Sequence, residues 1–176
     1  MVNLLPPLVP TPPAAADVIF CGVAGADPHR HRDHYFATPG NAFWDLLHES
    51  GFSERRLGPE DDGALPDLGL GLTDIVSERT GADGRGRSYD VDGLLADLSV
   101  WRPAWLALSS KTVGGIVARS LGLRAPGLGP ADWDPALTAG AEVFVLPGSS
   151  GANRRRSYDG RPDRLAWWRE LHGLSR

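Results

Sequence analysis

The chain has one cysteine, Cys21, and one lysine, Lys111. A single thiol excludes an intrachain disulfide framework and a metal site built from several cysteines. No apolar run reaches the roughly 18–20 residues that a membrane-spanning helix needs. No internal repeat is present. The first residues, Met1-Val2-Asn3-Leu4-Leu5-Pro6-Pro7, lack a positive segment followed by a continuous apolar core. They do not read as a secretory signal, and the cytoplasm is the expected compartment. Positive charge is short as well: 18 basic residues face 22 acidic ones, a net charge of −4. Taken whole, that balance argues against a nucleic-acid binder.

What is there fits one globular domain. The 176 residues are 41% hydrophobic and 23% charged, ordinary values for a soluble protein of this size. All the basic residues except Lys111 are arginine, and glycine (22) and proline (15) are plentiful. This compositional bias weakens any inference from arginine abundance alone. Placement says more than the total. Residues 148–176 carry 7 basic and 3 acidic side chains, whereas residues 1–147 carry 11 and 19.

Residues 1–15 contain five prolines and read as an extended arm, with a single domain expected over 16–176. The apolar run Asp17–Val23 ends at small residues and predicts a buried, central strand. A loop follows over 24–40. Asn41 is placed to cap a helix carrying Phe43, Trp44, Leu46 and Leu47, which Gly51 ends. Residues 53–70 read as mixed loop and short helix, and 70–76 as an apolar run around Asp74. The polar, Gly-rich stretch Ser77–Ser88 predicts a loop. Helices are expected at 91–100, 111–121 and 162–174, and strands at 103–109 and 141–146. A Gly/Pro-rich connection is expected at 122–140. Strands alternating with helices imply an α/β fold, a three-layer α/β/α sandwich with a central, mostly parallel sheet. Sites in such sheets lie beyond the carboxyl ends of the strands, which points to the loops 24–40 and 147–156.

Those loops carry the most specific pattern in the chain. Phe20-Cys21-Gly22-Val23-Ala24-Gly25 is followed by Tyr35-Phe36-Ala37-Thr38-Pro39-Gly40-Asn41-Ala42-Phe43-Trp44. Then come Gly69–Val76, the segment around Ser110-Lys111, and Val145-Leu146-Pro147-Gly148-Ser149-Ser150-Gly151-Ala152-Asn153-Arg154. In that order they resemble the mismatch-specific branch of the uracil-DNA glycosylase superfamily, over roughly residues 17–172. The resemblance implies base excision: a damaged or mismatched base is flipped from the duplex and its glycosidic bond is hydrolysed.

Roles follow by position. Gly22, Val23, Ala24 and Gly25 would let backbone amides approach the base, or simply form a tight turn after a strand. Phe36 would be the aromatic plane for the base, with Tyr35 beside it or in the core, and Asn41 would line the same pocket. Residues Gly148, Ser149, Ser150, Gly151, Ala152, Asn153 and Arg154 resemble the family loop that fills the gap left by the flipped base. Lys111 and Arg154–Arg156 are candidate phosphate contacts, or solvated charges. Two departures stand out. The family's water-positioning Asn is Ala24 here, and a methyl group cannot hold water. Some members of this branch lack the Asn and carry G-L-T-D in the same place, so the resemblance implies that Asp74 orients the water. Capping or an ion pair with arginine is the structural alternative. In the second loop Ala152 is a poor wedge, leaving Asn153 or Arg154 for the filling.

His29, His31 and His34 lie among arginines that would repel a cation, so they are read as loop residues rather than metal ligands. Cys21 and the pair Trp167-Trp168 read as core. The expected protein is a monofunctional DNA glycosylase, monomeric, acting on double-stranded DNA without cofactor or metal. It would remove uracil or a related base, opposite guanine. Two rivals remain: a damage-binding protein of the same fold without catalysis, and a small-molecule hydrolase using the same pocket.

Overall fold

The computed structural model describes residues 5–11, 15–24, 33–80 and 86–176. Six strands form one sheet. In chain order they are β1 (Val18–Ala24), β2 (Leu70–Thr80), β3 (Gly86–Tyr89), β4 (Trp105–Leu108), β5 (Gly129–Ala131) and β6 (Glu142–Val145). Their order across the sheet is β3-β2-β1-β4-β6-β5. β2, β1, β4 and β6 are mutually parallel, and the edge strands β3 and β5 run antiparallel. The helices are α1 (Phe43–Glu49), α2 (Val91–Trp101), α3 (Lys111–Ser120) and α4 (Leu165–Leu174), with 3₁₀ turns at Pro59–Leu68 and Pro135–Thr138. This is the expected α/β fold with a mostly parallel sheet.

Alternation along each strand sorts side chains to two faces. On one face Phe20, Leu72, Ala107 and Phe144 pack against α1 and α4 through Phe43, Trp44, Leu47, Trp167, Trp168 and Leu171. This layer is rich in rings. Phe20 stacks on Trp168 with centroids 5.3 Å apart and meets Phe43 edge-on at 5.4 Å. On the other face Cys21, Ile75, Leu106, Leu108, Val143 and Val145 meet α2 and α3 through Leu94, Leu98, Val113 and Val117. Each fully buried aliphatic or aromatic side chain contributes about 1.5–3 kcal/mol, so both layers are needed to hold the central strands.

Local signals set the helix ends. Asn41 Oδ1 accepts from Phe43 N at 2.9 Å, and Gly51 leaves α1 with φ +100°. The Asp90 side chain caps α2 by accepting from Gly93 N at 2.8 Å, and Ser110 Oγ caps α3 by accepting from Val113 N at 3.2 Å. α4 begins at Leu165 rather than at Pro162, because Asp163 Oδ1 takes the Ala166 amide at 2.9 Å and so sets the first turn.

Two sequence expectations are corrected and a third is filled in. The stretch Ser77–Ser88 is not simply a loop: β2 runs on to Thr80 and pairs with β3 in register Ser77↔Tyr89. A hairpin at a sheet margin is held by ladder hydrogen bonds and needs no apolar alternation. The apolar run 70–76 is a strand paired with β1 along its whole length. The 122–140 connection contains β5, an edge strand where Pro130 is tolerated because its missing donor faces away from the ladder. The proline-rich arm is partly built into the fold. Leu8 exchanges two backbone hydrogen bonds with Leu72, at 2.9 and 2.7 Å.

Candidate active site

The site begins with a row across the sheet. Gly22 in β1 is paired with Asp74 in β2. On the other side of β1 the chain leaving β4 keeps the same register for one more residue, since Ser109 N donates to Cys21 O at 2.9 Å. Asp74, Gly22 and Ser109 therefore stand at one level on one face, at the carboxyl ends of three parallel strands. β1 lies between β2 and β4, the point where the chain's winding reverses and where open α/β sheets place their ligands.

Gly22 is required there by contact. A Cβ at this position would lie 2.6 Å from Asp74 Oδ1 and 3.6 Å from Ser109 Oγ. The carboxylate leans over the bare α-carbon. Asp74 is half-buried in the mostly apolar first half of β2, Leu70–Val76. Its charge reaches the sheet below. Burial first, and the Asp74 carboxylate second, push the Cys21 thiol far above its ordinary range. Cys21 is fully buried and stays a neutral core thiol, as its place in a strand implied.

Around this row lies a cleft of about 370 Å³ lined by Gly22, Val23, Asp74 and Ser109 from the sheet, by 35–38 and Asn41 from the first loop, and by Gly148–Ser150 from the second. Ser110, Thr112 and Val113 bring the N-terminal turn of α3 to the same cleft, and Tyr89 closes it from β3. The structure thus gathers Gly22, Val23, Tyr35, Phe36, Asn41, Asp74, Gly148, Ser149 and Ser150 around one space. Ser109 and Tyr89 went unread in the sequence. The β4 register and the β3 hairpin bring them in, and no local pattern marks either. Gly25, His29 and His31 lie outside the described residues, and of Ala24 only the backbone is described.

Phe36 has the left-handed φ of +51°, uncommon for a bulky residue. What holds it is Phe43: the rings stack with centroids 3.9 Å apart and planes 5° apart. The Phe-Trp of the motif thus supplies a backing plate for the ring at the cleft. Tyr35 is only 2% exposed and belongs to the core. Its hydroxyl donates to the arm carbonyls of Leu5 and Pro6 at 3.4 and 3.2 Å, and its backbone amide donates to Asp62 at 3.1 Å. His34 Nδ1 lies 3.3 Å from the same Asp62 carboxylate. Asn41 lies one residue before Ala42, the N-cap of α1, and its Oδ1 accepts from Phe43 N, which leaves Nδ2 as its free donor among the described residues.

The second loop is braced from behind. Asn153 Nδ2 donates to Gly148 O at 2.7 Å. Arg164, at the start of α4, donates to Gly148 O and Ser150 O, both at 3.1 Å. The Tyr158 hydroxyl donates to Asn153 O at 3.0 Å and accepts from Arg155 N at 3.1 Å. The two loops also touch. Ala42 N donates to Ser149 O at 2.8 Å, and a Cβ on Gly151 would lie 2.6 Å from Gly40 O. Asn153 thereby ties the loop internally. Ala152 and Arg154 remain exposed. Lys111 is not an unpaired cation either. Its Nζ meets Asp159 Oδ1 at 2.5 Å, and that contact, helped by the Leu128 amide, holds the Asp159 carboxyl below its ordinary range.

A family model described as the Uracil DNA glycosylase superfamily matches residues 9–172. The chain belongs to that superfamily. Its members are typically DNA glycosylases, hydrolases that cleave the bond between base and sugar, and DNA is the substrate class the family implies. The match takes in the whole cleft, both loops, the first three helices and most of α4. Membership also gives the row its chemical sense. A glycosylase needs a polar group beside the sugar carbon and a shaped, partly apolar space for the extruded base, and the cleft offers a carboxylate and a stacked ring.

Proposed function

We propose that this protein is a monofunctional glycosylase of the mismatch-specific branch that flips uracil out of double-stranded DNA, opposite guanine, and hydrolyses its N-glycosidic bond. The observation that carries the reading is Asp74: a carboxylate leaning over Gly22 inside the cleft, in a superfamily member whose first loop has Ala24 where the water-holding Asn is expected. Asp74 orients the attacking water and takes its proton. Its negative charge also stabilises the positive charge that develops on the sugar. The electron pair of the broken C1′–N bond leaves with the base, and backbone amides near Val23 together with Asn41 Nδ2 meet its carbonyl oxygens. Phe36, backed by Phe43, stacks on the flipped ring. Residues Gly148–Arg154 enter the space it vacates, with Arg154 and the neighbouring arginines against phosphate. No amine takes part: the sole lysine is held by Asp159, and water is the nucleophile. The enzyme works as a monomer and needs no metal or cofactor.

The test is single-turnover excision from a uracil-containing duplex, read by cleavage of the abasic product. The wild-type protein is expected to generate abasic sites opposite guanine, and Asp74→Asn to lose about 10²–10⁴-fold in rate while still binding the duplex. Binding without excision by the wild type would instead identify a damage-recognition protein, the outcome to which Ala24 points if Asp74 does not serve. Full activity in Asp74→Asn would remove the mechanism and leave the function standing.

A further inference from the structure

Asp74 alone does not aim a water molecule. One hydrogen bond to a carboxylate leaves the water free to swing about that bond, so its lone pair has no fixed direction. A second acceptor removes the freedom, and fixed orientation is worth orders of magnitude in rate. The first loop offers none at Ala24. The sheet offers one at Ser109.

We propose that Ser109 is the second residue that holds the hydrolytic water, acting with Asp74 across the bare α-carbon of Gly22. This rests on the glycosylase reading above and names a further residue of the same site. Neighbouring strands lie about 4.8 Å apart. Side chains two strands apart on one row meet only when the residue between them has no side chain. Here the intervening residue is Gly22, and a single point above it lies 2.6 Å from Asp74 Oδ1 and 3.6 Å from Ser109 Oγ. Both oxygens therefore border the open space above the bare α-carbon of Gly22. Both residues are half-buried and line the cleft, and Ser109 Oγ bonds to no other described group. Its backbone is pinned by the Ser109 N–Cys21 O hydrogen bond, so the hydroxyl has a fixed origin.

The step balances with water as the only co-reactant. The water donates one hydrogen to Asp74 Oδ1 and the other to Ser109 Oγ, and its lone pair faces C1′ of the deoxyribose. The C1′–O bond forms as the C1′–N bond breaks. The electron pair departs on the base nitrogen, and the proton shared with Asp74 passes to the carboxylate. Ser109 keeps its own proton throughout. It orients and does not titrate.

The experiment is a double-variant cycle on the full chain: wild type, Ser109→Ala, Asp74→Asn and the combination. Single-turnover excision is measured beside binding to a duplex carrying uncleavable 2′-fluoro-deoxyuridine. Ser109→Ala is expected to slow excision roughly 10- to 100-fold with duplex affinity and melting temperature unchanged. Its effect should shrink to less than threefold once Asp74 is Asn, because the two act through one water. Ser109→Cys keeps the space filled with a much poorer acceptor and should slow excision nearly as much as Ala, which separates water-holding from loss of packing. Wild-type rates in both variants, or losses that simply multiply with that of Asp74→Asn, would overturn the proposal while excision by the wild type keeps the glycosylase reading intact. Absence of excision by the wild type overturns both.

Discussion

The floor and the mouth of the cleft are built by different means. The floor, Asp74–Gly22–Ser109, is fixed by the ladder of a parallel sheet, and the decisive residue is the one without a side chain. The mouth, residues 36–42 and 148–154, has no ladder. Side chains reaching backbone carbonyls hold it instead: Asn153 to Gly148, Arg164 to Gly148 and Ser150, Tyr158 to Asn153. The difference separates two kinds of sensitivity. A change in the floor alters chemistry within an intact frame. A change in the mouth loosens the frame and reaches chemistry only through binding.

The sharpest way to break that contrast is Gly22→Ala. The added methyl would push the Asp74 carboxylate aside, and a displacement of about 1 Å costs about 100-fold in rate. The expected result is a kcat loss of that order with KM little changed and a stability cost of about 1–3 kcal/mol for overpacking, read by single-turnover kinetics and thermal melting. A proportionate loss of affinity would show that the floor also governs binding. Next in size is Arg164→Ala, which strips two donors from the second loop. Its expected cost is about 2 kcal/mol of stability. Duplex affinity should fall several-fold, with the excision step from bound complex nearly unchanged. The smallest effect belongs to Asp159→Asn. Lys111 holds the Asp159 carboxyl below its ordinary value. A depressed carboxyl adds stability at pH values above its unfolded pKa and loses it as the pH falls through the folded one. The variant should melt slightly lower than wild type at neutral pH and together with it in strong acid. The pair is largely exposed, so added salt should also narrow the gap.

How much of this was legible in the sequence follows the same division. The floor was half readable. Asp74 stood out as a carboxylate in an apolar run, and Gly22 as the end of a buried strand. Their adjacency is a matter of inter-strand register, which no local spacing encodes, and Ser109 enters only through that register. Phe36 was readable as an aromatic at the pocket, but the support from Phe43 depends on a turn with positive φ. The mouth was legible as Gly and Ser in the right place and opaque in its bracing, because Tyr158 and Arg164 act from outside the motif. The hairpin of β2 and β3 was missed for a simpler reason. A margin of a sheet is stabilised by backbone pairing, and polar residues suit it as well as apolar ones.

The contact of Gly151 with the Gly40 carbonyl joins the two loops at a point where Gly151 has no room for a side chain. A latch of that kind leaves the protein little room to adapt to what it meets. The work of distortion then falls on the nucleic acid, and a duplex yields most readily where its pairing is already weak. Under the proposed function, an unyielding mouth is a mechanical filter that favours weakly paired positions ahead of the chemical one.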